Sequence, residues 1–103
     1  MIMLETFLTK VEARINYACD ELKLTPFVRT RCIETSKKKA IEQDGKILDA
    51  NGVACAIVSI VHEDARRNGR VSQHLPNKMI GKALGMDSGT VVHNIHLFNS
   101  RKH

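Results

Sequence analysis

The sequence predicts an all-α fold, a single domain made of five helices. Its 103 residues correspond to one domain. Apolar residues make up 43% of the chain but aromatic residues only 4%, so the core must be built from aliphatic side chains, which suits packed helices. Two prolines and six glycines are too few for the many tight turns of an all-β domain.

Helix 1 is predicted over residues 3–23, because apolar side chains recur there at the three-and-four spacing of one helical face. Residues 24–26 interrupt this pattern, since Thr25 can cap a new helix and Pro26 suits the first helical position. Helix 2 is therefore predicted over residues 26–43. Its inner stripe is expected to hold Val28, Cys32, Thr35 and Lys39.

Helix 3 is predicted over residues 50–67, and it is apolar on nearly all sides. A helix of this kind is usually buried, so we expect it to be the central one. Helix 4 is short, over residues 76–84, and helix 5 is predicted over residues 88–100 with Ser88 as its cap. The expected inward residues are Met79, Ile80, Ala83 and Leu84 on helix 4, and Val91, Ile95 and Phe98 on helix 5.

Basic side chains are concentrated in the C-terminal part of the chain. Residues 66–103 contain seven Lys or Arg and one Asp, whereas residues 1–65 contain nine basic and ten acidic side chains. All five histidines also lie within the last 42 residues. This distribution indicates a surface that faces a polyanion such as nucleic acid, although a solvated basic surface is the simpler alternative.

Several classes of protein are disfavoured by the sequence. Three cysteines without C-x-x-C spacing indicate reduced thiols in a cytosolic or nuclear compartment, and argue against a zinc site or a disulfide framework. The apolar runs are too short to cross a bilayer, and no signal peptide is visible. No phosphate loop or carboxylate pair is present, so we predict no enzyme, catalytic residue or cofactor. His93 and His96 have metal-ligand spacing, but two ligands do not close a site, and no metal is predicted.

The most specific motif covers residues 80–91 and is typical of a helix-turn-helix. Gly81 would let the second helix cross closely, and Gly85 would adopt the left-handed backbone of the turn. Met86 and Val91 would fill the gap between the two helices. Asn94 stands where an apolar residue is usual, which suggests a register shifted by one. A plain helical bundle with a Leu-Gly turn is the alternative.

If this element reads DNA, the outward positions of helix 5 face the major groove. These positions are Ser88, Gly89, Thr90, His93, Asn94 and His96. Four basic side chains would bind phosphates: Lys78, Lys82, Arg101 and Lys102. Because few of these side chains suit bidentate pairing with guanine, we expect modest sequence specificity and a strong salt dependence.

Residues 12–98 resemble one cyclin-like repeat of the transcription factor B family, TFIIB and its archaeal counterparts. The similar segments are Leu22-Lys23-Leu24 and Val28, Lys37-Lys38-Lys39-Ala40 before Gly45, Gly52-Val53-Ala54-Cys55-Ala56-Ile57, Ile80 with Leu84-Gly85, and Thr90-Val91-Val92-His93-Asn94. The resemblance implies a five-helix bundle around helix 3, with a terminal helix-turn-helix that contacts promoter DNA beside the TATA-binding protein. It implies DNA contact by Ser88, Gly89, Thr90, His93 and Asn94. The family has two repeats and a zinc ribbon, whereas this chain has one repeat. We therefore expect a viral or mobile-element regulator, or a truncated paralogue that competes for a promoter, rather than a complete initiation factor.

Three functions stay open, and a regulator that binds double-stranded DNA is favoured. A cyclin-box adaptor would instead bind protein along an apolar groove on helices 1 and 2. A replication-initiator origin binder of the DnaA type is suggested because the segments from Ile80 and from Thr90 are also similar to that family. One recognition helix covers half a site, so a homodimer through Leu4, Phe7 and Leu8 is considered, although packing of these residues on their own domain is favoured.

Overall fold

The structure is a computed structural model that describes residues 2–43 and 48–100, with the side chains of residues 6–39 and 48–100. These ranges contain five α-helices and no strand, which confirms the predicted all-α fold. Each predicted helix boundary within the described residues lies within one residue of the observed one. The helices are α1 (Ile2–Leu22), α2 (Pro26–Gln43), α3 (Ala50–Arg67), α4 (Asn77–Leu84) and α5 (Ser88–Ser100).

Helix α3 is the centre of the bundle and contacts each of the other four described helices. Its residues 52–58 are buried without interruption, and Ile57 is among the largest side chains with no exposed surface. The Asp49 side chain caps the helix by accepting a hydrogen bond from the Gly52 amide at 2.8 Å. The prediction of a buried central helix is therefore confirmed.

The turn between α1 and α2 is built from local hydrogen bonds. Lys23 adopts a left-handed backbone with φ of +54°, and the Leu24 amide donates to the Cys19 carbonyl at 2.9 Å. The Thr25 hydroxyl then accepts from the Val28 amide at 3.2 Å, so the predicted cap of α2 is confirmed. An ion pair between Arg29 and Asp20 adds a contact between the two helices.

The inner stripe of α2 differs from the predicted one. Val28 and Cys32 are buried as expected, but the third buried residue is Ser36, while Thr35 and Lys39 are only half-buried. Residues at intervals of four lie on one face of a helix, and the Ser36 hydroxyl is satisfied within its own helix by donating to the Ile33 carbonyl at 2.7 Å. A small hydroxyl with a local acceptor can therefore occupy a core position.

The inner face of α4 also differs from the prediction. Ile80 and Leu84 are buried as expected, and Gly81 is buried beside them. Met79 is instead 49% exposed, and Ala83 is half-buried. Met79 lies two residues before Gly81, about 200° around the helix, so it faces away from the side on which α5 packs.

Two further sequence expectations concern the surface of the bundle. Phe7 is half-buried and packs against the core, as expected for packing on its own domain, and Leu8 is half-buried. The side chain of Leu4 lies outside the described residues, as does the chain around Gly45. No helix in the described ranges combines the length and apolar character needed to cross a membrane.

Candidate nucleic-acid interface

Helices α4 and α5 cross so closely at Gly81 that no side chain would fit there. A Cβ atom on Gly81 would lie 2.3 Å from the Met86 carbonyl oxygen and 3.1 Å from Val91 Cγ2. The Met86 amide donates to the Gly81 carbonyl at 2.8 Å, which fixes the turn against the first helix. The sequence-based prediction that Gly81 permits a close crossing is therefore confirmed.

The turn between the two helices uses one glycine and one aspartate. Gly85 has φ of +78°, the left-handed conformation that the sequence predicts. Asp87 then caps α5, because its carboxylate accepts a hydrogen bond from the Thr90 amide at 2.7 Å. Hydrogen bonds from Thr90 also lower the pKa of Asp87. Ser88 is the first helical residue, so the prediction of Ser88 as the cap is wrong by one position.

An asparagine at the start of α3 joins this helix pair to the bundle. The Asn51 side-chain amide donates to the Leu84 carbonyl, the last residue of α4, at 2.8 Å. The same side chain accepts from Arg14 Nε of α1 at 2.9 Å. Asn51 hydrogen-bonds to the last carbonyl of α4 and to an arginine of α1 at the same time, so it holds α4 in a defined position on the bundle.

The inner face of α5 includes one polar residue that we predicted to contact bases. Val91, Asn94 and Phe98 are buried, and Asn94 is only 8% exposed. The Asn94 amide nitrogen lies 3.3 Å from Met86 Sδ, and its side chain also contacts the Cys55 thiol of α3. The prediction of Asn94 as a base contact is therefore wrong, and so is the suggested register shift. Asn94 lies three residues after Val91 and four before Phe98, which places it on the inner face.

The opposite side of α5 is open to solvent. Five exposed residues share this side, each lying three or four residues from another member, and we name them the outer face: Gly89, Val92, His93, His96 and Asn99. Ser88 and Thr90 are exposed beside them in the first turn. The whole helix contains no acidic side chain. The structure thus brings five of the six predicted groove-facing residues to the surface.

Two members of the outer face are not among the residues that the sequence predicts to contact bases. Val92 is 53% exposed, although its apolar character favours a buried position, and Asn99 is exposed one turn after His96. Both residues are found from the spacing, because Val92 lies four residues before His96 and Asn99 three residues after it. The periodicity of the known outward residues would therefore have identified them.

The predicted phosphate-binding residues are only partly described by the structure. Lys78 and Lys82 are both exposed on α4, which packs directly against α5. Arg101 and Lys102 lie outside the described residues. Among the described residues, no group of three or more His, Cys, Asp or Glu side chains could hold a metal ion. In comparisons with known proteins, no protein-family model, no curated protein and no solved structure matches the chain.

Proposed function

We propose that the chain is a transcriptional regulator that binds double-stranded DNA, with α4 and α5 acting as a helix-turn-helix. One observation carries this proposal. The inner face of α5 is fixed against α3 and α4, while its outer face is exposed over the length of the helix and has no acidic residue. A rigid exposed helix of this kind fits the major groove, which is about 12 Å wide.

The side chains of the outer face suit base edges in the major groove. Asn99 can pair with adenine through two hydrogen bonds, and Val92 can contact the methyl group of thymine. His93 and His96 can each bond to a base edge or a phosphate. The outer face contains no Lys, Arg or Gln, and an arginine or lysine is the usual partner of guanine. We therefore expect a modest preference for A·T pairs.

Sequence-independent affinity would come from the basic side chains near α5. Lys78 and Lys82 on α4 would each neutralise one phosphate, and Arg101 and Lys102 follow α5 in the sequence. The net charge of +6 over residues 66–103 supports binding to a polyanion. This contribution to the affinity falls steeply as the salt concentration rises, since each neutralised phosphate releases counterions.

The likeness to a cyclin-like repeat of the transcription factor B family extends this proposal. The order of five helices with a central third helix is compatible with such a repeat. A repeat of this type would place α5 on promoter DNA, with the TATA-binding protein or other transcription machinery as a partner. The proposed setting is a prokaryotic or archaeal cytoplasm, a virus-infected host cell or a eukaryotic nucleus.

Fluorescence anisotropy with a labelled random-sequence duplex tests the proposal. We expect binding at physiological salt at least as tight as the nonspecific range of roughly 10⁻⁴ to 10⁻⁶ M, with a log–log salt slope near −4 to −5 for about five phosphates. Lys82→Ala should make this slope less negative by about 0.9. Lys38→Ala is the matched control, because Lys38 is an exposed lysine on α2. Absence of binding, or equal slopes for the two variants, would contradict the proposal.

Selection of preferred duplexes from a random pool separates two kinds of DNA binder. A promoter-type regulator should enrich A·T-rich sequences, and Val92→Ala should weaken that preference. A DnaA-type origin binder should instead enrich one fixed short sequence. Recovery of a single fixed box would therefore favour replication over transcription.

A protein-binding adaptor is the second candidate, and one groove favours it. The groove measures about 620 Å³ and runs between α2 and α3, whereas the groove expected of a cyclin-box adaptor would run along α1 and α2. Phe27 lines it with 39% of its surface exposed, and the Arg70 guanidinium lies 4.9 Å from the centre of the Phe27 ring. The adaptor function would be favoured by two results together. The wild-type chain would bind the TATA-binding protein but not DNA, and Phe27→Ala would abolish the binding to that protein.

A further inference from the structure

One carboxylate binds two arginines at the end of α3. Arg66 donates to both oxygens of Glu63, with Nε–Oε1 at 3.0 Å and Nη2–Oε2 at 2.7 Å. Arg67 Nε lies 3.4 Å from Glu63 Oε2, and His74 Nδ1 lies 3.9 Å from Glu63 Oε1. The hydrogen bonds between Arg66 and Glu63 lower the pKa of Glu63 and raise that of Arg66, so both of these groups are charged at neutral pH. Two guanidinium groups and one carboxylate leave this cluster with a net positive charge.

The cluster borders α5. A groove of about 270 Å³ is lined by Arg66 and Arg67 on one side and by Ile95 of α5 on the other. Ile95 lies three residues after Val92 and four before Asn99, two members of the outer face. The arginines of α3 therefore lie along the same edge of α5 as these two residues. Lys78 and Lys82 belong to a different helix, α4.

Both guanidinium groups keep donors that Glu63 does not use. Arg66 bonds to Glu63 through Nε and Nη2, which leaves Nη1 available. The Arg67 side chain is 75% exposed and has a single long contact with the carboxylate. Guanidinium groups match phosphate oxygens in shape as well as in charge, and a group already held by a carboxylate loses less freedom when it binds.

We propose that Arg66 and Arg67 bind backbone phosphates of the DNA duplex along the α3 side of α5. This inference rests on the proposed function, since it requires α5 to lie in the major groove. A helix in that groove has a phosphate strand along each of its edges. Helix α4, which packs on α5, supplies the two lysines. The end of α3 supplies the two arginines at the edge of α5 where Ile95 lies.

The salt dependence of binding to a labelled random-sequence duplex tests this inference with the full chain. Arg66→Ala and Arg67→Ala should each make the log–log slope less negative by about 0.9, so the wild-type advantage over each variant should shrink about 3.5-fold between 50 and 200 mM salt. Arg31→Ala is the matched control. Arg31 is also an exposed helical arginine with a glutamate three residues later, Glu34 at 3.7 Å, and it lines a groove between α2 and α3.

The outcomes separate this inference from the proposed function. If wild type binds, and Lys82→Ala reduces the slope, but both arginine variants behave as Arg31→Ala does, the arginine site is refuted and the DNA-binding function stands. If the wild-type chain does not bind duplex at low salt, both are refuted. Arg67→Lys, which keeps the charge, should retain the wild-type slope, and helix content from circular dichroism checks that each variant is folded.

Discussion

Replacing Gly81 by alanine is the sharpest test of the α4–α5 crossing. The added Cβ would lie 2.3 Å from the Met86 carbonyl oxygen and 3.1 Å from Val91 Cγ2. Because the closer atom belongs to the backbone of the turn, no side-chain rotation can relieve the contact, and the turn must move away from α4. Overpacking costs about 1–3 kcal/mol, and a backbone clash belongs at the upper end of that range. Alanine returns about 1 kcal/mol through its higher helix propensity, so the expected net loss is about 2 kcal/mol.

Two other glycines in the same helix pair serve as controls. Gly85 has open space around its Cβ position but a φ of +78°, so Gly85→Ala should cost about 1–2 kcal/mol through backbone strain alone. Gly89 lies in a helix, and its added Cβ would make an ordinary 3.5 Å contact with Asp87 Oδ1. Gly89→Ala should therefore leave stability unchanged or raise it by up to about 1 kcal/mol.

Urea unfolding followed by circular dichroism measures the three free energies of unfolding under the same conditions. A second substitution distinguishes the two causes. Asparagine tolerates the left-handed conformation, so Gly85→Asn should recover most of the loss at position 85, whereas Gly81→Ser should be no better than Gly81→Ala. If Gly81→Ala proved as stable as Gly89→Ala, the close crossing of α4 and α5 described above would be wrong.

Three further predictions concern the bundle beneath the interface. Asn51→Ala should lower the free energy of unfolding in urea by about 1–3 kcal/mol, because the Leu84 carbonyl loses its donor, while Asn99→Ala at an exposed position should change it by less than about 0.5 kcal/mol. Burial lowers the pKa of His62 below its usual value of 6.5, so the unfolded chain takes up the proton first as the pH falls. The contribution of His62 to the free energy of unfolding should be fully present above about pH 6.5 and decline below it. Between pH 7 and pH 5, the melting temperature of His62→Gln should therefore decline less than that of the wild type. Burial raises the pKa of Cys55 to about 11, so a thiol reagent at pH 8 should label it only after denaturation, and rapid labelling of the native chain would contradict its burial.

The helices and the turn between α4 and α5 could be predicted from the sequence because their causes are local. Apolar spacing identifies each helix, and Thr25 and Pro26 mark the start of α2 through hydrogen bonding and backbone geometry within a few residues. Gly81 and Gly85 were assigned correctly for the same reason. A glycine in a helix before a turn and a glycine within the turn have few other uses.

Two wrong predictions have a tertiary cause. The sequence places Asn94 outward because polar residues usually face solvent, but the Cys55 thiol of α3 and the Met86 thioether of the turn before α5 accommodate its amide. The sequence places Met79 inward because it is apolar, yet it lies two residues before Gly81, on the side of α4 that faces away from α5, and it is exposed. In both cases residue type was a weaker guide than helical spacing, because the spacing reports which face is inside.

The cap of α5 shows a different limit. Asp87 and Ser88 are consecutive and both are common cap residues, so composition does not distinguish them. The structure selects Asp87, whose carboxylate reaches the Thr90 amide. The choice matters because an aspartate cap also satisfies an amide at the start of α5, where a DNA phosphate could otherwise bind. Phosphates would then be bound by side chains beside the helix.

The stability of the helix pair and its proposed recognition of DNA depend on different residues. Asn51 binds the end of α4, and Asn94 packs α5 against α3, so both polar anchors lie on the bundle side. The outer face of α5 is exposed and supports no part of the core. Under the proposed function, substitutions there would change which bases are contacted at little cost to folding, whereas substitution of either anchor would alter the position of the whole helix. A variant that loses base preference but keeps its unfolding free energy should therefore map to the outer face.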